Sequence, residues 1–147
     1  MSNYYNRQGA SQGQQSASHP DLKFLEKGFL ANQEYLLDSY AQKWAEFLAK
    51  ARLNKAQIRR FYQDIKAIES RIGDDGESFQ RNKASIVMLK AKAAYATARS
   101  DSSAPKEFKE LMDTSINQAK QSLEQFKGFV QFFEALVAYH YPLAPKN

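Results

Sequence analysis

The chain has 147 residues, 43% of them apolar and 25% charged, with a net charge of +5. That length suits one domain with a hydrophobic core and is short for two. Cysteine is absent, which excludes disulfides, thiolate metal sites and cysteine nucleophiles; with no apolar run of about 18 residues and no signal-peptide h-region, a cytoplasmic protein without a membrane partner is expected.

Residues 1–20 are rich in Ser, Gln, Asn and Gly. They read as a disordered tail, because they hold too few apolar groups to offset the entropy of ordering. Residues 21–147 then form a single helical domain. A first long helix is expected over about 32–51, where Leu37, Tyr40, Trp44, Phe47 and Leu48 recur at three- and four-residue steps. Asn54-Lys-Ala-Gln57 reads as a capping box opening a second helix. That helix carries Ile58, Phe61, Ile65, Ile68 and Ile72, and Gly73-Asp-Asp-Gly76 should end it through a left-handed C-cap.

A third helix is expected from about Ser78 to Arg99, and Ser100-Asp-Ser-Ser103 breaks it. Pro105 suits the first turn of a short fourth helix with Phe108, Leu111 and Met112. A final helix over about 115–140 carries Ile116, Ala119, Leu123, Phe126, Val130, Phe133 and Val137 in unbroken 3-4 spacing, and Pro142 stops it. Nothing reads as a strand. The expectation is all-α, a compact bundle of about five helices.

Catalytic constellations are missing. His19 falls in the tail and His140 at the end of the last helix, neither at a telling spacing from an acid or a nucleophile. His140 reads as a helix-end or interface group favoured by the macrodipole. Asp74-Asp75-x-Glu77 lacks the EF-hand pattern and reads as a loop, and the glycines form no phosphate-binding motif. Neither an enzyme, nor a metal, nor a cofactor is expected.

Basic residues are concentrated in the middle of the chain. Residues 50–99 hold twelve Lys or Arg against five Asp or Glu, while the rest hold nine against eleven. Such a segment suggests a polyanionic partner. At about 100° per residue, Lys55, Arg59, Gln63 and Lys66 share a sector of roughly 80° facing away from the isoleucine stripe. Arg52 would join them if the turn before Asn54 stays helical, Arg60 lies nearer the flank, and an ordinary solvated face remains the alternative. On the third helix, Phe79, Ile86, Leu89 and Ala93 form an apolar stripe, and Arg81, Met88, Lys92, Tyr95 and Arg99 line the opposite side. No carboxylate lies between Asn82 and Ser100. Tyr95 beside Lys92 and Arg99 is the combination used for single-stranded nucleic acid; Met88 is expected in the core. Ala84, Ala91 and Ala98 would admit a neighbouring helix. On the last helix, Phe129, Phe132, Leu136 and Tyr139 form a second apolar series, so that helix is either central or partly covered by another subunit.

Three blocks carry a resemblance. Leu53-Asn-Lys-Ala-Gln-Ile-Arg-Arg-Phe-Tyr-Gln-Asp-Ile-Lys66, Leu89-Lys-Ala-Lys-Ala-Ala-Tyr-Ala-Thr-Ala-Arg99 and Phe129-x-x-Phe-Phe-Glu-Ala-Leu-Val-Ala-Tyr-His140 resemble, in order and separation, the small helical subunit of type III-A CRISPR interference complexes, the Csm complexes. The resemblance implies a compact, non-catalytic RNA-binding subunit of a CRISPR ribonucleoprotein that works in antiviral defence. Its partners would be target RNA paired to guide RNA, other subunits of the complex and further copies of itself. The implied phosphate contacts are Arg59, Lys66, Lys92 and Arg99, with Tyr95 stacking or hydrogen bonding, and with Arg52, Lys55, Arg60 and Lys90 as further contributors. The competing expectation is a helical adaptor that binds protein through Phe129, Phe132, Leu136 and Tyr139.

Overall fold

A computed structural model describes residues 18–145. Among them there is no strand, and six helices follow one another. Helix α1 is a single turn, Lys23–Glu26. Helix α2 opens as Gln33–Tyr35, widens into a π stretch at Leu36–Tyr40 and continues as Ala41–Lys50. The others are α3 (Lys55–Arg71), α4 (Gly76–Ala98), α5 (Lys106–Ala119) and α6 (Leu123–His140).

Helix α6 is the centre of the bundle, packed against α2, α3 and α5. Helix α4 lies outside it, flanked chiefly by α5 and α3. Phe126, Phe129, Phe132, Phe133 and Leu136 are each at most 1% exposed. A helix enclosed on several sides needs apolar residues around most of its circumference, which is why α6 carries two series instead of one stripe. The expectation that Phe129, Phe132 and Leu136 meet another subunit is therefore corrected: this chain's own helices cover them. Tyr139 is half-buried against the same core.

The last two helices are also divided differently from the expected 115–140 span. The 3-4 spacing runs through the junction, but Ile116 and Ala119 belong to α5. Lys120 closes that helix, and the Ser122 hydroxyl then accepts the Gln125 amide as the N-cap of α6. A serine free to bond the amide three residues on offers the backbone an alternative to a continuous helix.

The π stretch moves the buried face of α2. Leu36 and Tyr40 are buried, and Leu37 is left half-buried. The Tyr40 hydroxyl donates to the Asp21 carbonyl at 2.7 Å, and burial pushes its pKa up to about 12. Of the expected tail, residues 1–17 lie outside the described residues. His19 lies against the bundle, its ring stacked on Trp44 at 5.0 Å and its Nε2 3.4 Å from Glu110.

Two junctions differ in detail. Helix α3 ends on Ile72 in an extended conformation, and the left-handed glycine among the described residues is Gly28, not Gly73. Asp75 caps α4 by accepting the Ser78 amide, and that bond holds its carboxyl below the usual range. The turn before α3 does not stay helical. Arg52 stands at φ +77°, with its amide on the Ala49 carbonyl and the Leu53 amide on the Leu48 carbonyl. This is a Schellman closure whose left-handed residue is an arginine.

Candidate nucleic-acid interface

The capping box expected at Asn54 is present in both halves. The Gln57 amide donates to Asn54 Oδ1 at 2.9 Å, and the Asn54 amide donates to Gln57 Oε1 at 2.8 Å. Gln57 has a second task, since its Nε2 donates to the Ser102 carbonyl at 2.7 Å. One side chain thus starts α3 and ties down the loop that follows α4. At the far end, Arg71 Nε donates to Asn82 Oδ1 at 3.2 Å. These contacts hold α3 and α4 side by side, with an open groove of about 450 Å³ between them.

Arg60, Lys92, Tyr95 and Arg99 line this groove together with Phe61, Asp64 and Met88. Met88 was expected in the core; it is 53% exposed, and Tyr95 is 69% exposed. The sector opposite a helix's apolar stripe is covered only if another helix lies there, and α4 sits at the edge of the bundle. Ala84, Ala91 and Ala98 are exposed for the same reason, while Ala93 is fully buried and Ala96 is half-buried against the core. Ala91 and Ala96 line the groove, and their short side chains leave it open.

The remaining basic candidates are elsewhere. Lys90 turns to α5 and donates to Asn117 Oδ1 at 2.9 Å. On the wheel of α3, Lys55, Arg59 and Lys66 lie about 100° or more from Arg60, on the face away from the groove. Lys55 Nζ sits 4.1 Å above the Tyr141 ring. Lys66 pairs with Glu69 at 2.7 Å, and that bond raises its pKa. Arg52 is exposed in the α2–α3 turn, outside the sector assigned to it. The cations expected on one surface thus divide between the groove, the outer face of α3 and the two flanks.

Separation of charge along the sequence does not survive folding. Lys92 Nζ lies 3.2 Å from Asp64 Oδ2 on α3, Arg99 lies 3.8 Å from Asp101, and Arg81 lies 3.6 Å from Glu77. These pairs are solvent-exposed to different degrees and worth at most about 1 kcal/mol each, so a phosphate can displace the carboxylate. Arg59 and Arg60 enter no ion pair among the described residues.

Sequence reasoning missed Gln57, Phe61, Asp64, Ala91, Ala96 and Ser102 as groove residues. Phe61 and Gln57 already had structural roles, and only the relative rotation of α3 and α4 shows that they also border the groove. No helix of the described residues is long and apolar enough to cross a membrane.

A family model described as Csm2 Type III-A matches residues 31–146. No curated protein and no solved structure matches.

Proposed function

The chain belongs to the Csm2 type III-A family, the small subunit of Csm complexes, and from that premise we propose that it binds the RNA backbone within the complex through the cation-bearing surfaces of α3 and α4. The observation that carries this reading is the groove, which gathers Arg60, Lys92, Arg99 and Tyr95 from two helices. Cations on a tied pair of helices attract phosphates without reading bases, so sequence selection is left to pairing between guide and target RNA. A non-catalytic, cytoplasmic role in antiviral defence, with guide and target RNA, other subunits and further copies of itself as partners, accords with membership of this family.

Charge reversal tests the reading and tells its two surfaces apart. Lys92→Glu alters the groove, and Arg59→Glu alters the outer face of α3. Titrated against RNAs of unrelated sequence, Lys92→Glu should weaken binding equally for all of them, with helicity by circular dichroism unchanged. Loss with Arg59→Glu as well extends the contact around α3; unchanged affinity in both variants contradicts the reading.

A further inference from the structure

The groove between α3 and α4 is more than a row of cations. Its lining includes the apolar side chains of Phe61, Ala91 and Ala96, and it exposes Met88 and Tyr95. Met88 and Tyr95 lie two turns apart on the same side of α4, and both are exposed; exposed apolar surface rimmed by polar groups marks a binding site. Cations line the groove as well, Arg60 from one helix and Lys92 and Arg99 from the other, with Asp64 beside Lys92 and Asp101 beside Arg99. An apolar slot with cations along it matches a nucleotide: the base is planar and polarisable, and the phosphates on either side are anionic. The groove volume, about 450 Å³, is within the range of small-ligand clefts, which begins at about 300 Å³.

We infer that the groove takes one unpaired base of the bound RNA strand, stacked on Tyr95 and flanked by Met88, with the adjoining phosphates on Arg99 released from Asp101 and on Lys92 released from Asp64. The inference rests on the RNA-binding reading above and deepens it: the subunit grips bases by their faces as well as the backbone by its charge. Stacking is tolerant of sequence because every base has a π-face. It requires the base to be out of a duplex stack, so a fully paired duplex should not fill the slot.

The test uses the full chain and two RNA probes, an adenine homopolymer and the same ribose-phosphate chain carrying no bases. The homopolymer should bind about tenfold more tightly. Tyr95→Ala should remove that advantage, and Tyr95→Phe should keep it, because the ring and not the hydroxyl does the stacking. Lys92→Gln should weaken both probes alike. Equal affinity for both probes, indifferent to Tyr95→Ala but still reduced by Lys92→Gln, overturns the base slot and leaves the backbone reading standing. Indifference to Lys92→Gln as well overturns both. Free adenosine monophosphate that competes as well as the homopolymer would make the occupant a free nucleotide, and that too overturns the proposal.

Discussion

At the scale of single residues, two side chains have roles that the sequence concealed. Arg52 occupies a left-handed conformation at the end of α2, where an L-residue with a Cβ costs about 1–2 kcal/mol and glycine is the usual solution. Arg52→Gly should raise stability by up to about 1 kcal/mol in urea denaturation, since glycine's added freedom when unfolded offsets part of the relief. Arg52→Ala should give no gain. His140 was read as a helix-end or interface group, but it is fully buried, and its Nε2 donates to the Leu53 carbonyl at 2.8 Å across 87 residues of sequence. Burial holds its pKa below 6.5, with Lys55 acting in the same direction. The unfolded ring binds protons more readily, so this contribution is complete above about pH 6.5 and is lost as pH falls through the folded pKa. Thermal midpoints should drop as the buffer is taken below that pH, and His140→Asn should flatten this dependence; an equally steep profile in the variant would assign it to other groups.

At the scale of elements, most helices were legible because 3-4 spacing and caps are local signals. The capping box of α3 appears as read, and so does its apolar stripe from Ile58 to Ile68, while Ile72 falls just past the helix end. The junction between α5 and α6 was not legible, because Ile116, Ala119 and Leu123 keep helical spacing through a break that only Ser122 marks. The π stretch in α2 leaves no mark in an apolar pattern that is itself tolerant of one-residue shifts. The aromatic excess of α6 was visible, but whether α6 is enclosed or exposed depends on where the other helices pack. Phe132, 1% exposed and in contact with Phe29 and Tyr40, gives a direct check. Phe132→Ala should cost about 3–5 kcal/mol, a large share of a typical 5–15 kcal/mol, and should appear as a collapse of the thermal midpoint. A variant that keeps its midpoint while losing assembly would restore the partner-contact role.

At the scale of the whole molecule, the balance of charge matters through its arrangement in space. The sequence located the basic third of the chain and its helix faces, and Lys92, Tyr95 and Arg99 do share one groove with Arg60. It did not show that Lys55, Arg59 and Lys66 turn away from that groove, or that Asp64 and Asp101 approach its cations, because both depend on how α3 and α4 are rotated against each other. Sequence also misplaced Met88, since an edge helix and a central helix carry similar residues until their neighbours are known. RNA binding as proposed requires the groove to be the place where phosphates bind. The most direct measurement is the salt dependence of RNA binding by the wild-type chain and by the Arg60→Gln/Lys92→Gln/Arg99→Gln variant. Each phosphate contact on a single strand contributes a slope of about −0.7 in log K against log salt. The variant should show a slope shallower by about 2, with unchanged helicity; an unchanged slope and affinity would contradict the account.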